Sequence, residues 1–172
     1  MFLGCESLIS INLENFNIYN SEENLIIDMS EMFKECKLLQ SVTFGDFIEG
    51  NKFNMNSMFH GCTKLTNQVF NGVVDAVNVI QMFYNCENLV SLSMTQFKIA
   101  NSNSLKQMFY NCQKLPVLDL TSFDTTQITD MSEMFYQCKS LSSLIIGNLK
   151  TDSSKNVDMS SMFYDCIALK ES

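Results

Sequence analysis

The side chains of this 172-residue chain best suited to act as nucleophiles, soft-metal ligands or proton carriers are seven cysteines, one histidine and five tyrosines. Every cysteine closes a pentapeptide: MFLGC at Met1, MFKEC at Met32, MFHGC at Met58, MFYNC at Met82 and again at Met108, MFYQC at Met134 and MFYDC at Met162. Thiols could pair as disulfides, bind zinc, or attack a substrate beside a histidine base. Their spacing argues against all three. One thiol per copy spreads Cys5, Cys36, Cys62, Cys86, Cys112, Cys138 and Cys166 into a line, whereas zinc needs about four ligands converging on a point. No CxxC occurs, and an odd number cannot pair completely. His60 follows Met58 by two residues, on the side away from the core, so it would have to reach across its own element to activate a thiol. The cysteines are expected to be a structural ladder of small buried hydrophobes. No catalytic, cofactor-binding or metal residue is assigned, and no cofactor.

The elements that carry these residues repeat. The motif methionines recur after 31, 26, 24, 26, 26 and 28 residues, the period of a solenoid or array. The full pattern is M-F-x-x-C-x-x-L, closing at Leu8, Leu39, Leu65, Leu89, Leu115, Leu141 and Leu169. An apolar residue usually stands three positions before the motif methionine. Met131, Met134, Phe135 and Cys138 thereby take the i, i+3, i+4, i+7 spacing of one helical face. Asp28 and Asp130 are placed as N-caps, with Glu31 and Glu133 three residues on. After the leucine the period changes to two, as in Leu118-Asp119-Leu120 and Leu92-Ser93-Met94, which predicts a very short strand. A further apolar residue follows at Phe16, Phe47, Val73, Phe97, Phe123 and Leu149. A loop of Asn, Ser, Thr and Asp then leads to the next copy and absorbs the irregular spacing, as in NIYNSEEN at Asn17 to Asn24.

One such unit cannot bury its apolar face alone, whereas stacked units can. The expected fold is therefore an α/β solenoid over residues 1–172, a single domain of about six to seven repeats. Short parallel strands form one face and short helices the other. Helices on successive coils would sit about 8–10 Å apart, too far for a disulfide ladder. In the inward strand column Ile11, Val42, Leu92, Leu118 and Leu144 are joined by Gln68; either its amide is buried or the strand shifts by one residue and turns Val69 inward. Both chain ends fall inside a coil, so the chain is expected to be a fragment of a longer array without capping repeats, open to end-to-end self-association.

Outside the core, the position two residues after the motif methionine holds Leu3, Lys34, His60, Tyr84, Tyr110, Tyr136 and Tyr164. Two readings stand for the four tyrosines. Their rings stack on one another as part of the solenoid, or they form an aromatic stripe that meets a partner, since tyrosine offers large contact area at low entropy cost. On the strand face the outward columns are Ser10, Ser41, Asn67, Ser91, Val117, Ser143 and Asn12, Thr43, Val69, Ser93, Asp119, Ile145. These are small and nearly uncharged, which suits a flat protein or glycan surface or a solvated sheet.

Composition bounds the partners. Net charge is −8, and the 11 basic residues are all lysine, with no cluster of the kind that contacts phosphates; this weighs against nucleic acid. No apolar run reaches the length of a membrane span, and MFLGCESLIS shows no signal peptide.

The stretch Leu115-Pro-Val-Leu118-Asp-Leu120 followed by SFDTTQITDMSEMFYQC resembles the 26-residue repeat of BspA-like bacterial surface proteins, within the leucine-rich-repeat class. The resemblance covers essentially the whole chain, with the fifth and sixth copies matching best. It implies a horseshoe-like or straight solenoid in a surface-exposed or secreted protein concerned with adhesion and protein binding, and it implies no catalytic residues. Two further classes are weighed: an intracellular leucine-rich-repeat scaffold, and an enzyme, for which no residue set breaks the repeat. None of the asparagines begins an N-x-S/T acceptor, which fits bacterial export or a cytoplasmic location better than a glycosylating route.

Overall fold

Each copy must bury the same few side chains, and the computed structural model shows the coil that does so; it describes residues 1–15, 25–99, 102–147 and 155–169. After each closing leucine a strand begins where one is expected: β1 (Ser10–Leu13), β3 (Ser41–Phe44), β5 (Asn67–Val69), β7 (Ser91–Ser93), β9 (Val117–Asp119) and β10 (Ser143–Ile145). Pairing is parallel and joins equivalent residues, Ile11 with Val42, Gln68 with Leu92 and Leu118 with Leu144. Just before these strands, the amides of Gln40, Thr66, Val90 and Ser142 donate to Ile9, Gln40, Thr66 and Pro116 of the preceding coil at 2.8, 3.1, 2.8 and 2.9 Å. Pro116, the chain's one proline, stands where the next donor of that series would be and has no N–H to give.

A second strand column occupies the stretch expected to be loop. β2 (Ile26–Asp28), β4 (Lys52–Asn54), β6 (Val74–Asn78) and β8 (Phe97–Ile99) form a four-stranded parallel sheet in the order β2-β4-β6-β8. Val74-Asp75-Ala76 and Phe97-Lys98-Ile99 alternate inward and outward, the apolar residues buried. Val74, rather than Val73, is the residue fully enclosed there. Between the strand columns Gly72 turns the chain at φ 74°; a Cβ there would stand 2.3 Å from the carbonyl oxygen of Phe47, its partner in an isolated parallel bridge. Only glycine fits both the backbone angle and the space. Phe16, Leu149 and the Asn17 to Asn24 loop lie outside the described residues.

The helices are absent: among the described residues no helix forms, and the expected α/β solenoid of leucine-rich-repeat type is instead a β-solenoid. Along the motif, alternate amides serve two directions. Those of Met32, Lys34 and Cys36 close local turns onto Met29, Glu31 and Phe33, at 3.3, 3.2 and 3.0 Å. Those of Glu31, Phe33 and Glu35 donate instead to Asn56, Met58 and His60 of the next coil, at 2.9, 2.9 and 2.7 Å. A helix would spend every amide on its own segment and hold its neighbour about 8–10 Å away. Here the neighbour is bonded at strand spacing, as in the two strand columns, which comprise three two-stranded sheets and one four-stranded sheet, so the coil cannot carry a helix on one side only. The turns need left-handed backbone: Glu31, Gln81, Gln107 and Glu133 sit at φ 54–56°, and Glu35, Asn85, Asn111 and Gln137 at φ 57–60°.

The turn ladder still buries Met29, Met32, Phe33 and Cys36, the same set that a helical face would bury. The expected caps act as turn formers: Asp28 and Asp130 accept from the amides of Ser30 and Ser132 at 3.0 and 2.9 Å, an Asx turn two residues long.

Gln68 resolves toward burial without a strand shift. It is 1% exposed while Val69 is 53% exposed. Its Nε2 donates to the Val69 carbonyl at 2.8 Å, and its Oε1 is buried with no hydrogen-bond partner. An unpaired buried acceptor costs about 1–3 kcal/mol. Gln68→Leu is therefore expected to raise the melting temperature by several degrees in a thermal denaturation series, and an unchanged or lowered value would contradict this account of the site.

Candidate functional site

The residue two places after the motif methionine leaves the turn ladder pointing outward, and the coil repeat sets it above its counterpart in the next coil. The ring centroids of Tyr84 and Tyr110 are 4.5 Å apart, those of Tyr110 and Tyr136 4.6 Å, and those of Tyr136 and Tyr164 4.7 Å, all within 14° of parallel. His60 extends the stack onto Tyr84 at 4.6 Å. The ring faces are thus largely spent on one another, which leaves the ring edges and hydroxyls to meet solvent or a partner. Tyr84, Tyr110 and Tyr136 are half-buried and Tyr164 is exposed.

Amide ladders flank the stack, and sequence reasoning missed them. On one side Gln81 Nε2 donates to Gln107 Oε1 at 2.6 Å and Gln107 Nε2 to Glu133 Oε2 at 3.0 Å. On the other Asn111 Nδ2 donates to Asn85 Oδ1 at 3.0 Å, and Gln113 Nε2 to Asn111 Oδ1 at 2.9 Å. The signal was present as repeated Gln and Asn at fixed distances from the motif. Its meaning depends on a coil spacing short enough for amides to touch.

Burial pushes the phenols of Tyr110 and Tyr136 above their ordinary value of 10.0, and the neighbouring tyrosines and Glu133 add to the effect. For His60, burial lowers the pKa first and Lys34 next, against the opposing pull of Glu35. Its Nε2 lies 3.8 Å from Glu35 Oε1, and its Nδ1 is buried with no hydrogen-bond partner.

The thiols stand on the inner side. Cys36, Cys62, Cys86, Cys112 and Cys138 are fully buried, Cys166 is intermediate and Cys5 is exposed, so the ladder is a core feature at five of its seven positions. All are free thiols. Six of the seven Sγ atoms donate to a phenylalanine carbonyl of the preceding coil: Cys62 to Phe33 at 3.0 Å, Cys112 to Phe83 at 3.2 Å and Cys138 to Phe109 at 3.1 Å, with the same bond at Cys36, Cys86 and Cys166.

The expected separation of about 8–10 Å between coils does not hold, so distance between backbones is not what keeps these thiols apart. In-register parallel side chains keep their Cβ atoms near the strand repeat of about 4.8 Å, beyond the roughly 3.5–4.5 Å that a bridge requires. Desolvation raises the thiol of Cys138 to about 12 and those of Cys86 and Cys112 well above the usual value. Protonated thiols without access are poor nucleophiles.

The strand-face columns lie largely where expected. Ser10, Ser41, Asn67, Ser91, Val117 and Ser143 are all exposed, as are Asn12, Thr43, Val69 and Ile145, while Ser93 and Asp119 are intermediate. Among the described residues no three His, Cys, Asp or Glu side chains gather closely enough to hold a metal ion, and no helix is long and apolar enough to cross a membrane.

Coils closed by two parallel strand columns and a turn ladder define a β-solenoid repeat protein. The chain belongs to the family described as Mycoplasma protein of unknown function, DUF285, which matches residues 1–116 and 103–172. No curated protein matches it.

A thiol reagent added to the native protein is expected to modify Cys5 quickly and Cys166 more slowly. Cys36, Cys62, Cys86, Cys112 and Cys138 should react only on unfolding, with seven thiols released in denaturant; rapid modification of any of the five would contradict their burial. A phenol raised above 10.0 stabilises the fold below pH 10.0 and loses that contribution as pH rises through its folded value. Melting temperature should therefore fall on alkaline titration, and fall less in a Tyr110→Phe/Tyr136→Phe variant than in the parent.

Proposed function

We propose that the chain is a non-catalytic interaction or adhesion module of a surface-exposed or secreted BspA-like repeat protein, with protein or glycan partners rather than nucleic acid. The observation that supports this most directly is the division of labour within each coil. Inward positions repeat the same Met, Phe, Cys and Leu, whereas outward positions form ordered columns that change from coil to coil. The tyrosine stripe is the partner-facing candidate of that set: Tyr84, Tyr110, Tyr136 and Tyr164 hold one another in place before any partner arrives, so little side-chain entropy is left to lose on binding. A net charge of −8 favours a partner surface that is neutral or basic.

The alternative, an intracellular scaffold, draws on the free thiols, which persist without difficulty in a reducing compartment.

Fluorescently labelled chain, incubated with cultured animal cells, is expected to bind saturably. A Tyr110→Ala/Tyr136→Ala variant that keeps its circular dichroism spectrum should lose most of that binding. No saturable binding by the parent would count against the adhesion reading, and equal binding by the double variant would remove the stripe from it.

A further inference from the structure

The β2-β4-β6-β8 sheet stops at β8. In the next coil the chain makes a turn, with the Ile128 amide donating to the Thr125 carbonyl at 3.0 Å, and does not add a fifth strand. The step leaves a cleft of about 530 Å³ between the sheet and that turn, within the range of about 300–1,000 Å³ typical of small-molecule sites. Asp75 and Lys98 line it from the sheet, Ser102 from the chain after β8, and Ser122, Asp124 and Gln127 from the far wall.

Its groups are held by bonds that leave part of their capacity unused. Ser122 Oγ lies 2.9 and 2.8 Å from the carbonyls of Met94 and Phe97, which share its single proton, and Ser102 Oγ donates to the Ser104 carbonyl at 3.0 Å and accepts from the Ser104 amide at 3.4 Å. Each hydroxyl oxygen keeps lone-pair capacity to accept a further bond. Lys155 Nζ donates to Gln127 Oε1 at 2.8 Å, which fixes the amide and leaves its NH₂ to donate. The Thr126 amide donates to Asp124 Oδ1 at 3.0 Å and sets that carboxylate in its turn.

Asp75 is the exceptional member. It pairs in register with Lys52 on one side and Lys98 on the other, yet its Oδ1 is buried with no hydrogen-bond partner, and Lys98 is drawn instead to Glu49 at 3.3 Å. A buried carboxylate oxygen without a donor is costly and disposes the group to take up hydrogen bonds; the enclosed Oδ1 is out of a ligand's reach, and Oδ2 is the oxygen left to accept a ligand hydroxyl in the cleft that Asp75 lines.

We propose that this cleft binds a neutral, polyhydroxylated ligand, a short stretch of glycan. The charges select against the alternatives. Asp75 and Asp124 oppose an anion, Lys98 opposes a simple cation, and the described residues include no trio of metal-binding side chains. Donors and acceptors alternate around the walls, and a sugar hydroxyl serves as both. The inference deepens the reading of the chain as a binding module by naming a partner class, but it places that partner away from the tyrosine stripe, so the two fail separately.

The test is saturation-transfer NMR on the whole chain with a set of neutral saccharides: glucose, galactose, mannose, N-acetylglucosamine and chitotriose. Transfer to at least one is expected. Its affinity should fall on the order of tenfold in Asp75→Asn and in Gln127→Ala, as loss of one hydrogen bond to a charged or oriented group implies, and should be unchanged in Asp46→Asn, an exposed residue outside the cleft. Asp75→Asn keeps the shape of the side chain, and Gln127→Ala lies on an exposed turn, so one serves if the other fails to fold. No transfer to any saccharide, or transfer that survives both variants, would overturn the proposal. So would chemical-shift changes at Asp75 on addition of calcium chloride or sodium acetate in place of sugar.

Discussion

A coil-to-coil distance of one strand spacing, imposed by main-chain hydrogen bonds, governs what every other part of this molecule can be. The sheets set it on two sides. On the third, the amides before, one after and three after each motif methionine from Met32 to Met134 carry it across to the next coil. The turns that allow this hold Glu, Gln, Asn, Ser and Asp at positive φ, at a cost of about 1–2 kcal/mol for each residue without glycine's freedom. That cost recurs twice in a coil and is offset because each such turn frees amides for the neighbouring coil and turns the methionine, phenylalanine and cysteine inward.

Within so short a repeat only some side chains can stand above copies of themselves. Flat rings can: the motif phenylalanines stack in a column from Phe2 through Phe33, Phe59, Phe83, Phe109 and Phe135 to Phe163, with centroids 5.4–5.8 Å apart and planes within 11° of parallel. Thiols can, because from Cys36 onward each has a carbonyl of the preceding coil to donate to. Primary amides can, since each is both donor and acceptor. Like charges cannot without repulsion; Asp130 and Asp158 do face each other across one bridge, but other charged positions alternate in sign. Lys52, Asp75 and Lys98 face one another across β4, β6 and β8, and Glu6 meets Lys37 at 2.8 Å in the neighbouring coil.

Much of this was legible in the sequence because the repeat names its inward residues directly. The strands after the closing leucines, their register and the outward tyrosines follow from the M-F-x-x-C-x-x-L alignment. The helix did not follow, although Met131, Met134, Phe135 and Cys138 have helical spacing, because a series of turns with alternating left-handed residues buries the same four positions. Hydrophobic periodicity reports which side chains are inside, and two backbones with the same answer look alike to it. The second sheet escaped notice because its strands are mostly three residues long and bordered by Lys, Asp and Asn. The cleft was invisible for a different reason: Asp75, Lys98 and Gln127 come from three coils, and only the failure of β8 to gain a neighbour brings them around one space.

Self-stacking has a consequence for how such a chain can change in length. Met82, Met108 and Met134 are separated by 26 residues each, and a tandem copy of that unit would find on both of its faces the rings, thiols and main-chain donors that its parent already meets. Growth or loss by whole coils therefore demands no new complementarity. Any other increment has to be expelled from the stack. In the described coils the connection is longer from Phe44 of β3 to Lys52 of β4 than from Ser93 of β7 to Phe97 of β8, where the chain passes from the first strand column to the second. That corner is the molecule's expansion joint, where residues can be gained without disturbing a single rung.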